Sequence, residues 1–135
     1  MAFNLFNRKD PGQYASKLPL SINTEFVPYK LKAREKSSST LIIRVKNLSD
    51  ESILSSVSVA LPGQISLDEM GLEKKKDVKI GELNPKEEKE SKIEIHSGVG
   101  TEKGDYTISL TAYVHYRDYS HIANAVKKRD TITAV

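Results

Sequence analysis

The segment YVHYRDYSH, residues 113–121, carries the densest set of side chains capable of chemistry or recognition: Tyr113, His115, Tyr116, Arg117, Asp118, Tyr119 and His121. A metal centre here would need His115, His121 and Asp118 to converge, and their spacing matches no metal-ligand motif. Recognition asks for less. Tyrosine and arginine dominate binding hot spots because each buries a large surface and keeps a polar end. The segment is therefore expected to form a hairpin tip that contacts a protein partner through Tyr113, His115, Arg117 and Tyr119. The same residue types also suit strands and turns for packing reasons alone.

Other routes to chemistry find little support. Cysteine is absent, which removes thiolate nucleophiles, disulfides and cysteine zinc sites. No G-x-S-x-G elbow occurs, and Ser37-Ser38-Ser39 reads as a polar turn. The glycines of SGVGTEKG superficially suggest a phosphate loop. They precede a strand rather than a helix and lack the Gly-Lys-[Ser/Thr] ending. No acidic pair stands out for glycoside chemistry. His96 falls at a strand end beside this loop, and tryptophan is absent. No catalytic, cofactor-binding or metal-ligating residue is assigned, and the chain is not expected to be an enzyme.

The formal net charge is +3, from 21 Lys+Arg against 18 Asp+Glu. In EKKKDVKIGELNPKEEKESKIE the two signs nearly cancel, as on a solvated surface. Two segments are more basic. YKLKAREK holds Lys30, Lys32, Arg34 and Lys36; AVKKRD holds Lys127, Lys128 and Arg129. First and last strands are commonly neighbours, so the alternative function is nucleic-acid binding on one basic edge built from both. Lysines that protect edge strands from aggregation would look the same. Phe3 and Phe6, with Arg8 and Lys9 close behind, offer a second contact site, on a partner or on another copy of the chain.

These residues must be positioned by strands. In TLIIRVKN, Leu41, Ile43 and Val45 share one face; in ILSSVSVALP, Ile53, Ser55, Val57, Val59 and Leu61 share one. DVKIGELNP and SKIEIH follow, then DYTISLTAYVHY, whose apolar face is Tyr106, Ile108, Leu110, Ala112, Val114 and Tyr116. HIANAVKKRDTITAV reads as a less regular last strand. Earlier, Leu20, Ile22, Thr24 and Phe26 share a parity that passes at Val27-Pro28 to Val27, Tyr29 and Leu31. A proline at a parity change predicts a strand that switches sheets there. Residues 1–18 form an arm, with a short helical turn from Asp10-Pro11 to Lys17. Strands punctuated by turns and no helix after residue 20 indicate an all-β sandwich or barrel. The 135 residues suit one domain. No apolar run approaches the ~18 residues that span a bilayer. MAFNLFNRKD shows no signal-peptide pattern, so a cytoplasmic location is expected. Abundant Lys and Glu with few Gln resemble a thermophile's composition.

The chain also resembles the CARDB and NEW3 immunoglobulin-like modules of archaea and bacteria. The resemblance rests on LIIRVKNLSD, VSVALP, IGELNPKEEKESKIEI and GDYTISLTAYV. The motifs are Val45-Lys46-Asn47, Leu61-Pro62, Gly81-Glu82-Leu83-Asn84-Pro85 and Gly104-Asp105-Tyr106-Thr107-Ile108. It implies an immunoglobulin-like β-sandwich of about seven strands over residues 19–135. Tyr106 then sits where such folds place a tyrosine corner. The family occurs as repeats in surface proteins, whereas this chain holds one copy. The expected role is a non-catalytic interaction or scaffold module acting through an edge strand or the hairpin tip.

Overall fold

The computed structural model describes residues 19–135. The arm of residues 1–18, its helical turn, and Phe3 and Phe6 lie outside the described residues. Among those described there are eight strands and no helix. They are β1 (Leu20–Val27), β2 (Lys30–Leu31), β3 (Ser37–Asn47), β4 (Ile53–Ala60), β5 (Lys75–Leu83), β6 (Glu88–Ser97), β7 (Gly104–His115) and β8 (Ile122–Ala134). One sheet has the order β1-β3-β6; the other has β2-β8-β7-β4-β5. All pairs are antiparallel except β2 with β8. The result is an all-β, immunoglobulin-like sandwich.

Two-residue alternation decides which faces meet. Leu41, Ile43 and Val45 of β3 are buried with Ile93 and Ile95 of β6. Val57 and Val59 of β4 face them from the other sheet with Ile108, Leu110 and Ala112 of β7. The parity change at Val27-Pro28 is a change of sheet. β1 pairs with β3, and after the proline β2 pairs with β8. Leu20 and Ile22 are buried before the switch and Leu31 after it, each filling the same core from a different sheet. Splitting that segment at Pro28 accounts for eight strands where about seven were expected.

The tyrosine corner is present. The Tyr106 hydroxyl donates to the Glu102 carbonyl at 2.6 Å and reaches Gln64 Oε1 at 2.5 Å. Asn47 has a similar role at the other end of the sandwich. Fully buried, its Nδ2 donates to the carbonyls of Glu51 (2.7 Å), Leu83 (3.1 Å) and Asn84 (3.2 Å). Its Oδ1 accepts from Ser49 N at 2.8 Å and Ser49 Oγ at 2.7 Å. One side chain thus ties the turn after β3 to the turn after β5.

One strand end differs from expectation. Tyr116 does not continue the apolar face of β7: it is 50% exposed. The strand ends at His115, and the Tyr116 amide closes the hairpin by donating to the His121 carbonyl at 3.1 Å. A register shift at Val114/His115, opposite Ile122 and Asn124, bulges the start of β8.

Candidate interaction surface at the hairpin and the last strand

The hairpin between β7 and β8 is pinned from inside. Asp118 Oδ1 accepts from the Ser120 amide (2.9 Å), the Ser120 hydroxyl (2.6 Å) and His121 Nδ1 (2.8 Å). The Ser120 hydroxyl and then His121 hold the Asp118 carboxyl down to about 2, because each bond favours the ionised form. Arg117 adopts a left-handed φ of 71°, rare for a residue with a Cβ. Its side chain makes no ion pair or hydrogen bond among the described residues, so it is presented to solvent.

His115 has a role the sequence reading did not assign. It is only 7% exposed, with both ring nitrogens engaged. Nδ1 lies 3.2 Å from the His121 carbonyl, which can only accept, so Nδ1 carries the proton. Nε2 is then the acceptor for the Ser56 hydroxyl at 2.7 Å. The Tyr119 ring covers the imidazole edge-on at 5.1 Å. His115 is therefore a support beneath the surface rather than an exposed contact, because Tyr119 folds back over it. Tyr113 and Tyr119 are half-buried beside it, and Lys79 Nζ lies 4.9 Å from the Tyr119 ring centre. Of the expected contact set, Tyr113, Arg117 and Tyr119 remain accessible, joined by Tyr116 and Ile122. His115, Asp118 and His121 make no metal cluster; among the described residues no group of three His, Cys, Asp or Glu could hold an ion.

Next to this hairpin runs an open backbone edge. β2 covers β8 only at Thr133 and Ala134. Farther up, β1 lies against β8 through side chains: Thr24 Oγ1 donates to Asp130 Oδ2 at 2.5 Å, and Lys128 Nζ reaches the Ile22 carbonyl at 3.4 Å. Beyond those contacts nothing among the described residues pairs with the outer side of Ile122–Val126. Ile122, Ala123, Asn124 and Ala125 are exposed, Ile122 at 55%. Charges usually guard such edges. The other edge strands carry them: Glu25 in β1, three lysines and an aspartate in β5, alternating Glu and Lys in β6. Residues 122–126 carry none.

The two basic segments lie at different heights along the β2–β8 edge. Lys30 stands opposite Thr133, whereas Arg129 lies four residues up β8, about 13 Å away at strand rise. Arg34 pairs with Glu102 at 2.8 Å, and Lys32 reaches Glu35 at 3.9 Å. Lys30 lies over the Tyr29 ring at 5.3 Å. Alternation turns Lys128 towards β1 while Lys127 and Arg129 face outward. Across the sheet, three strand spacings or about 14 Å away, their rows end on Asp77 and Lys75 of β5, with Lys79 one row on, a placement sequence reasoning missed. The spacing Lys75-Asp77-Lys79 signals one outward row, but only the strand order β8-β7-β4-β5 shows what that row faces.

No protein-family model matches the chain, and no curated protein matches it. Solved structures do. Native alpha-2-macroglobulin from Escherichia coli, spanning domain MG7 to the C-terminus, superposes with a TM-score of 0.64 at 19% identity over 87% of this chain. This chain spans 16% of that one. The CARDB domain of a Pyrococcus furiosus protein, solved in complex with two metal ions, gives a TM-score of 0.49 at 20% identity, covering 86% of this chain and 85% of that one. PapD-like domain 7 of human CEP192, an ASH/PapD-like domain, gives 0.45 at 13% identity, covering 87% and 85%. At these identities the likeness is one of fold. Among the described residues no helix is long and apolar enough to cross a membrane.

Proposed function

We propose that this chain is a non-catalytic interaction module that takes an extended segment of a protein partner onto the open edge of β8, beside the hairpin. The observation that carries this reading is an uncharged stretch of open edge, Ile122–Val126, exposed at residues 122–125 and lying beside exposed Tyr116 and Arg117 and half-buried Tyr113 and Tyr119. Backbone pairing supplies affinity in strand addition, and flanking pockets supply specificity. Here the flanking feature is the hairpin: Tyr113 stands opposite Ala125 in the β7–β8 register, so an added strand lies beside Ala125 with Tyr113 one strand farther in, about 10 Å away and within reach of a long side chain. The aromatic anchors sit on a turn already rigidified by Asp118, which reduces the ordering cost of binding. A second copy presenting the same edge is one partner of this kind, and sedimentation of the unliganded chain reads it directly.

The test is selection of binders from a displayed library of random peptides against the full chain. Selected peptides are expected to lose about tenfold or more in affinity for Ala123→Lys/Ala125→Lys, and similarly for Tyr113→Ala/Arg117→Ala/Tyr119→Ala. Ala123→Lys/Ala125→Lys should keep the wild-type stability within about 1 kcal/mol, since both side chains are exposed, and circular dichroism checks that the alanine variant, which uncovers His115, remains folded. Peptides that bind both variants as tightly as wild type contradict the assignment.

A further inference from the structure

The outer face of the five-stranded sheet holds a second, chemically different surface. Its side chains form rows across β5, β4, β7 and β8. One row is Lys79, Ser56, Tyr113 and Ala125; the next is Asp77, Ser58, Thr111 and Lys127; the next is Lys75, Ala60, Ser109 and Arg129. The two central strands therefore lay a floor of small, mostly hydroxyl-bearing residues. Cations stand on both sides of it, three strand spacings or about 14 Å apart. At the hairpin end an open depression of about 560 Å³ is lined by Ser56, Ser58, Lys79, Tyr113, Tyr119 and Ile122.

The positive charge on this face is only partly compensated. Among the described residues, Lys75, Lys79, Lys127 and Arg129 make no ion pair, and Asp77 is the one acid in these three rows. The opposite face of the sandwich is built the other way. There Arg44 pairs with Glu25 at 2.9 Å and Glu90 at 3.0 Å, and Lys92 reaches Glu90 at 3.9 Å. Edge protection accounts for cations on β5 and on the open part of β8; the hydroxyl floor between them joins the two guarded edges into one surface.

We propose that this face binds single-stranded nucleic acid, with phosphates on Lys75, Lys79, Lys127 and Arg129 and a base against Tyr119. A flat sheet offers no helix or ribbon to enter a duplex groove. A single strand can lie on it, hydrogen-bond to hydroxyls and stack a base on an aromatic ring at the end of the cationic track. An acidic peptide would use the cations but not the ring. The site shares Tyr113 and Tyr119 with the peptide surface, whereas its β5 lysines lie at the opposite side of the sheet from the β8 edge.

The experiment is fluorescence anisotropy of a labelled oligouridylate with the full chain across a salt series. Four phosphate contacts predict a log–log salt slope of about −2.8. Lys75→Glu/Arg129→Glu is expected to lower affinity at least tenfold with peptide binding at residues 122–126 unchanged. Tyr119→Phe should retain binding and Tyr119→Ala should lose about tenfold, as removal of one stacked base requires. Circular dichroism and the unfolding midpoint confirm that each variant is folded. Absence of oligouridylate binding at low salt overturns the proposal. So does equal binding by the charge-reversed variant, equal competition by polyglutamate, or preference for a duplex.

Discussion

Among single residues, Asn47 and Asp118 do the most to hold the ends of the sandwich in place. Asn47 satisfies three backbone carbonyls and the Ser49 amide from a fully buried position. Asn47→Ala strands several of those groups without water, and is expected to cost about 2–3 kcal/mol in a denaturant titration. Asp118 gives a pH signature. Its folded pKa is depressed to about 2, below the ordinary carboxylate value of 3.8. A depressed carboxylate contributes stability above its unfolded pKa and loses it as pH falls through the folded one. The hairpin should therefore hold its conformation at neutral pH and loosen between about pH 4 and pH 2. Titration of the Asp118 carboxyl by NMR should give a midpoint near 2, and Asp118→Asn should remove this pH dependence. Some of this residue chemistry is visible without coordinates: Tyr106 two positions after Gly104 reads as a corner, and its hydroxyl does reach the Glu102 carbonyl. The role of His115 is not, because its burial depends on Tyr119 folding back from four residues farther along the chain.

At the scale of elements, local pattern carries far. The alternation in TLIIRVKN and ILSSVSVALP specifies β3 and β4 with their inward faces, since a strand with one buried face must repeat every second residue. Pro28 marks the sheet switch because it cannot donate to a ladder. Pairing between distant strands is a different matter. Lys30 and Thr133 meet in a parallel bridge across most of the chain, and nothing local in either sequence specifies that register. The same holds for the edge itself. HIANAV looks like an irregular strand when read along the chain, and becomes an open edge only once β2 is seen to stop at Thr133 and Ala134. The expected effect of Ala123→Lys/Ala125→Lys belongs to this scale. Two lysines restore to β8 the protection that β5 and β6 already have, and loss of peptide binding is the predicted readout.

At the scale of the whole fold, the described residues form two sheets with different surfaces closed around one aliphatic core. The three-stranded sheet turns a charge-paired face outward, which suits a solvated wall. The five-stranded sheet turns outward a cationic floor, a pinned aromatic hairpin and an unguarded edge. None of these features needs the sandwich to move, so binding at any of them should leave the core unchanged. The central claim is that partner strands add to β8. Amide hydrogen exchange of the full chain, with and without a selected peptide, tests it most directly. The account predicts increased protection at residues 122–126, with the charged edges of β5 and β6 unaffected. Protection that rises on another edge while residues 122–126 exchange as before would contradict it.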